Sequence, residues 1–126
     1  MKHELRINNY VLYDNRPFQI ASISDEYPSL KTIEFGFGVV EWKDISPIPL
    51  TEELLVKCGF EKIYESSFRI RYDHPINYIG YDVSKTEPKE HESSLRYYNR
   101  HIDCNYLHEL QNAFKILTNQ ELTIEI

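Results

Sequence analysis

The chain is 126 residues long, 41% hydrophobic and 13% aromatic, with ten tyrosines, which excludes a disordered chain. Its apolar runs all fall well short of the ~20 residues a membrane-spanning helix needs, and its start, Met-Lys-His-Glu-Leu-Arg, lacks the apolar segment of a signal peptide. Net charge is −6, with 6 basic against 9 acidic residues up to position 60 and 8 against 11 after it, so neither half is a basic nucleic-acid domain. A cytoplasmic protein is expected. In that compartment Cys58 and Cys104 are read as reduced, small buried hydrophobes rather than a bridge.

Residues 5–45 read as a run of short strands. Leu5, Ile7, residues 10–13 and residues 18–23 are β-rich. Asp14-Asn15-Arg16-Pro17 is a turn signal, and residues 24–29, polar and containing Pro28, read as a loop. Residues 32–35 and 39–42 are further strands, with Gly36-Phe37-Gly38 between them as a tight hairpin turn or a bulge. Gly-x-Gly can let backbone approach a phosphate, but without a following helix the turn reading is preferred. Four or five short strands ending at a proline exit suggest an SH3-like barrel.

Residues 41–60 join this half to the next. Pro47 and Pro49 cannot donate ladder hydrogen bonds, so the strand near Trp42 must stop. Thr51 is placed to cap a short helix at about 52–58, with Glu52 and Glu53 in its first turn. Leu50 and Leu55 have the spacing of a hydrophobic staple, and Gly59-Phe60 that of a left-handed helix stop.

Beyond the helix, Phe68, Ile70 and Tyr72 alternate with Arg69 and Arg71, predicting a strand over 67–72. Residues 73–75 read as a turn, 76–83 as a central strand, 84–94 as a solvated loop and 95–102 as another strand. Asp103 is placed to cap a helix over 104–118 with an apolar stripe of Tyr106, Leu107, Leu110, Ala113, Phe114 and Leu117. Asn119 is a left-handed terminator, and Leu122, Ile124 and Ile126 predict a closing half-buried strand. The expected class is α+β: an SH3-like β-barrel subdomain over 1–50, a linking helix over 51–60, and over 61–126 a small antiparallel sheet packed by one C-terminal helix.

The main chemical pattern is electrostatic. Arg69 and Arg71 share a face of one predicted strand, and Arg96, Tyr98 and Arg100 a face of another. Side by side, those strands would give four arginines and a tyrosine on one surface, suited to phosphate and base contacts. The bland alternative is a solvated face neutralised by Glu65, Glu87, Glu90 and Glu92. His101, Cys104 and His108 have zinc-ligand spacing, but no second Cys/His pair completes a finger, and no metal or other cofactor is assigned. Cys104 and His108 are placed on the helix face opposite the apolar stripe. Ile116 falls on the polar side of that helix, and with His108 and the exposed tyrosines it is a candidate partner contact. No phosphate loop, paired-histidine helix or nucleophile elbow occurs, so the chain is read as a non-enzyme.

Several segments carry a resemblance: Leu5-Arg6-Ile7-Asn8-Asn9; Val39-Val40-Glu41-Trp42-Lys43-Asp44-Ile45; Pro47-Ile48-Pro49-Leu50-Thr51-Glu52-Glu53-Leu54-Leu55 with Gly59-Phe60; then His108-Glu109-Leu110-Gln111-Asn112, Leu117-Thr118 and Glu121-Leu122-Thr123. Together these resemble a group of small proteins carried by phages and other mobile elements of Bacteroidetes-type bacteria. Residues 64–100 carry no part of the pattern. The sequence departs from it at Asn8 and Asn119, where the group often has glycine, and at Leu54, where tryptophan is common.

The resemblance implies a setting rather than an activity. The reading it supports is a binding protein that grips a host protein, in its most concrete form an anti-CRISPR-like inhibitor of a nucleic-acid-guided defence nuclease or its RNA complex. The alternatives are an RNA- or DNA-contacting module using Arg69, Arg71, Arg96, Tyr98 and Arg100, and an assembly protein that self-associates through an open strand edge.

Overall fold

The computed structural model describes residues 5–23, 28–32, 36–76, 78–85, 93–98 and 100–125. The chain is mixed α and β and divides into two compact units: Met1–Pro49 with Tyr106–Ala113, and Leu50–Asn105 with Phe114–Ile126. Among the described residues no helix is long and apolar enough to cross a membrane.

The first unit holds strands β1 (Tyr10–Tyr13), β2 (Arg16–Ile23), β3 (Pro28–Thr32), β4 (Gly36–Val39) and β5 (Ile45–Ser46). They form one antiparallel sheet in the order β4-β3-β2-β1-β5. Asp14 and Asn15 form the β1–β2 turn with φ of 53° and 60°. Both central residues are left-handed, as a two-residue hairpin requires, and Asp and Asn tolerate that conformation. Arg16 and Pro17, predicted as part of the turn, instead pair with Tyr13 and Leu12. Leu5, Val11, Ile20 and Ile45 are buried together, with Tyr13, Phe18, Val40 and Trp42 packed against them.

Four expectations for this unit are corrected. Leu5–Ile7 is not a strand: the Asn9 N–H donates to the Arg6 carbonyl at 3.1 Å, and Asn8 takes φ 79°. Pro28 and Ser29 belong to β3 rather than to a loop; residues 24–27 and 33–35 lie outside the described residues. Gly36, Phe37 and Gly38 pair with Thr32, Lys31 and Leu30 within β4, so they make no hairpin turn. Glycine permits a turn without demanding one. Trp42 lies in a 3-10 turn, Trp42–Asp44, not in a strand.

The unit also contains the first part of helix α2 (Leu107–Thr118). The Leu107 N–H donates to the Ile48 carbonyl at 2.8 Å. Gln111, 2% exposed, donates from Nε2 to the Asn8 carbonyl at 3.0 Å and accepts the Tyr10 N–H at 2.9 Å. Asn9, fully buried, accepts the Arg6 N–H and donates to Asn112 Oδ1, both at 2.8 Å. Buried amides are retained because each is bonded.

The second unit opens on α1 (Glu52–Lys57). Thr51 caps it, its hydroxyl accepting the Leu54 N–H at 3.2 Å. At the other end Gly59 takes φ 91°, the Gly59 N–H donates to Val56 and the Phe60 N–H to Leu55, both at 3.0 Å. These two bonds are a Schellman stop, with Leu55 and Phe60 both buried. Then follow β6 (Glu61–Glu65), β7 (Arg69–Asp73), β8 (Ile79–Ser84), β9 (Ser93–Tyr97) and β10 (Arg100–Asp103). They form an antiparallel sheet in the order β10-β9-β8-β7-β6, with β8 central as predicted.

The single predicted strand over 95–102 is in fact a hairpin, turning between Tyr97 and Arg100. Strand β6 had no counterpart in the sequence reading. Asp103 ends β10 and does not cap α2; there the Glu109 carboxylate accepts the Tyr106 N–H at 3.1 Å. Asn119 ends α2 with φ 58°, as expected. Residues 121–125 form no ladder: Leu122 is buried and Glu125 N–H donates to the Lys57 carbonyl at 3.0 Å, but that is not a strand.

Candidate functional site

The anticipated arginine surface forms only in part, and its two strands are not side by side, because β8 lies between β7 and β9. Register pairs Asp73 with Gly80 and Gly80 with Arg96, and Arg71 with Asp82 and Asp82 with Ser94. Opposed residues share a face, so Arg69, Arg71 and Arg96 lie on one side, interleaved with Asp73 and Asp82. Arg100, after the turn, pairs with Tyr97 and alternates onto the other side. Arg96 donates from Nη2 to Asp73 at 2.8 Å and from Nε to Asp82 at 3.2 Å. Arg71 Nε lies 3.5 Å from the same Asp82. Burial opposes the charge of Arg96, but the Asp73 and Asp82 carboxylates outweigh it and raise its pKa. The guanidinium is thus engaged within the protein rather than presented to a phosphate.

Gly80 makes this arrangement possible. A Cβ at that position would stand 2.8 Å from the Tyr72 carbonyl oxygen and would collide with the Arg96 guanidinium. The bare backbone of the central strand is what Arg96 lies across.

A second grouping on that face was not anticipated. Ser94 Oγ is 3.0 Å from His101 Nδ1, and Asp82 Oδ2 is 3.7 Å from the same nitrogen. A nucleophile relay needs the hydroxyl and the carboxylate on opposite ring nitrogens. Here both address Nδ1, so the trio is not arranged as a relay.

His101 is exposed on β10, while Cys104 and His108 are each 1% exposed. Among the described residues no group of three or more His, Cys, Asp or Glu side chains is placed to hold a metal ion. Burial pushes the Cys58 thiol up to about 12, so it is no ready nucleophile. The placement of Cys104 and His108 on a polar outer helix face is corrected. Cys104 precedes the helix, and the His108 ring is buried and stacks on Tyr106 at 6.0 Å. Ile116 is 82% exposed, as its position in the helical period predicts.

The most distinctive surface lies at the end of the sheet where β7 turns to β8 and β9 to β10. Tyr78 and Tyr98 sit in these two turns with φ of 60° and 56°. They are 75% and 58% exposed, and their rings meet at 5.2 Å between centroids. Tyr97 meets Tyr98 edge-on at 4.6 Å. The tyrosines border an open groove of about 690 Å³ floored by Asp73, His74, Ile79 and Arg96. Sequence reasoning singled out Tyr98 but not Tyr78. The signal available was an asparagine next to each tyrosine, at positions 77 and 99, with no glycine beside either tyrosine.

His74 anchors the groove. Its Nδ1 accepts the Ile76 N–H at 3.2 Å, and its ring lies edge-on to Phe60 at 5.1 Å and to Phe114 at 5.0 Å. Burial lowers its pKa below the ordinary 6.5, only partly countered by a hydrogen bond to the Cys58 backbone. A lowered folded pKa means that the unfolded chain binds the proton first. Stability is therefore fully present above about pH 6.5 and falls as pH drops from there toward the folded value, with a slope of at most about 1.4 kcal/mol per pH unit for one proton. Thermal melts between pH 7.5 and 5.5 should show this decline, and His74→Asn, which can still accept the Ile76 N–H but cannot titrate, should flatten it. An unchanged slope in that variant would assign the titration to another group.

No family model, curated protein or solved structure matches the chain.

Proposed function

We propose that this chain is a non-enzymatic binding protein of a phage or mobile element that grips a host protein through the Tyr78–Tyr98 end of its second unit. The observation that carries this reading is the conformation of the two tyrosines. Positive φ costs a bulky residue of order 1 kcal/mol, and asparagine or glycine would make either turn more easily. Two exposed aromatic rings held there, in mutual contact, have the make-up of an interface anchor, since tyrosine and arginine dominate binding hot spots. The nucleic-acid reading loses support, because Arg71 and Arg96 face Asp82 and Asp73 within the sheet.

In its most concrete form the target is a nucleic-acid-guided defence nuclease in the host cytoplasm, and the protein acts as an anti-CRISPR-like inhibitor. The net charge of −6 suits a basic nucleic-acid channel and would steer association toward it. The test is DNA cleavage by guide-loaded nucleases of Bacteroidetes-type hosts, titrated with the purified protein. Cleavage should fall as the protein approaches equimolar amounts. Full cleavage across the panel at large molar excess would end the nuclease version.

We further infer that the first unit is an SH3-like small barrel. Its support is the strand order β4-β3-β2-β1-β5, the β-bulge between Ile20 and Ser22, and the 3-10 turn ahead of β5.

A further inference from the structure

We propose that the tyrosine end is a seat for an arginine side chain on a basic protein partner, the guanidinium stacking on Tyr78 and Tyr98 and hydrogen-bonding the Asp73 carboxylate. This rests on the binding-protein reading above and gives its partner a chemistry.

Three observations converge on a cation. Asp73 lies in the groove that the tyrosines border, keeps 46% of its side chain exposed, and is bonded to Arg96 through Oδ1. Glu61, exposed on β6, stands directly opposite Asp73 in the β6–β7 register. Like charges facing each other across a strand pair repel; Arg96 offsets part of this through Asp73 Oδ1, and an incoming cation would offset the rest. The exposed tyrosine rings then supply the negative π-face on which a cation rests.

The same features select among ligands. Phosphate is repelled by Glu61 and Asp73, and the nearest guanidinium, Arg96, already faces two carboxylates. Between the two basic side chains, arginine fits better than lysine. Its planar guanidinium stacks on an aromatic ring while its edge still donates to a carboxylate, whereas an ammonium group is a strongly hydrated point charge.

Binding is read by titration calorimetry at near-physiological salt, with a nona-arginine peptide, a nona-lysine peptide of equal charge and a single-stranded oligonucleotide as probes. The arginine peptide should bind roughly tenfold tighter than the lysine peptide, the share expected of stacking beyond charge. The double variant Tyr78→Asn with Tyr98→Asn should lose that preference. Asparagine tolerates positive φ, so this variant should keep its melting temperature, and a retained melt makes the loss of binding interpretable. Asp73→Asn should weaken arginine binding while leaving both rings in place. Equal affinity for the two peptides, unchanged binding by the double variant, or tighter binding of the oligonucleotide would each overturn the proposal.

The parent reading is tested separately by nuclease inhibition with the same variants. If the tyrosine variant loses inhibition while Asp73→Asn keeps it, the tyrosine end docks a partner but not through arginine. If both variants inhibit as the wild type does, the arginine seat and the tyrosine-end docking fail together.

Discussion

Leu55→Ala is expected to lower the unfolding free energy by about 2–5 kcal/mol, the range for deleting a fully buried leucine. Leu55 is 2% exposed and is the only buried residue of the six-residue helix α1. A helix this short cannot hold itself together, so its place depends on that side chain. Leu55 also carries the carbonyl that receives the Phe60 N–H at the helix stop. Cavity and loosened stop should therefore act together. Urea denaturation measures the loss, with Val56→Ala, 59% exposed in the same turn, as a control expected to change stability by no more than about 0.5 kcal/mol. Equal effects at the two positions would show that burial at Leu55 does not hold the helix.

The second large effect is expected at Gln111. Replacing it with methionine keeps much of its volume and removes both ends of its amide. The Asn8 carbonyl still accepts from Gln19 Nε2 at 3.1 Å, but the Tyr10 N–H loses the Gln111 oxygen. An orphaned donor in a partly buried site costs about 1–3 kcal/mol. Gln111→Met should therefore destabilise the first unit by that amount, although it adds apolar surface to a buried helix face. Hydrogen exchange provides the check: the Tyr10 amide should lose protection first. A variant as stable as the wild type would mean that water or a backbone shift replaces the lost bond.

Local chemistry was legible where one residue type has one good use. Thr51, Gly59 and Asn119 each occupy the capping or stopping position expected of them, because a cap or a left-handed stop is decided within a few residues. Strand β7 was legible by its alternation, which buries Tyr72, and β8 by being apolar on both faces, as a central strand is. Strand β6 was not: all five of its residues are exposed, so Glu-Lys-Ile-Tyr-Glu carries no alternation of burial to detect. The β9–β10 hairpin was hidden for a different reason. Its turn uses a tyrosine at positive φ, against that residue's own preference, and the run therefore looked continuous.

That misread turn moved Arg100 to the other face, while the strand order, a separate matter, sets β8 and its Asp82 between Arg71 and the Arg96 strand. His108 was misplaced, and Gln111 went unnoticed, because a helical wheel assigns polar residues to solvent. Gln111 is instead bonded inside the first unit, and the buried arc of α2 extends past its apolar stripe. Tyr78 and Tyr98 lie far apart in the sequence, and only the register of the second sheet brings them together.

The exposed strand β6 has one more consequence, for colloidal behaviour. It is an outer strand, and Ile63 and Tyr64 on it are β-prone residues open to water. Such an edge invites a second chain to add as a strand and start a fibril. Lys62 stands in its way, 3.1 Å from Glu52 and 2.9 Å from Glu65, and the ladder is interrupted by a bulge between Lys62 and Tyr64. Lys85 and Lys62 hold the Glu65 carboxyl down at about 2, so this guard keeps its charges in mild acid. An incoming strand would have to strip water from that charged group before gaining a single ladder bond. Charge and bulge thus both fall on the side of the sheet that gave no sequence signal, and each raises the cost of adding a strand there.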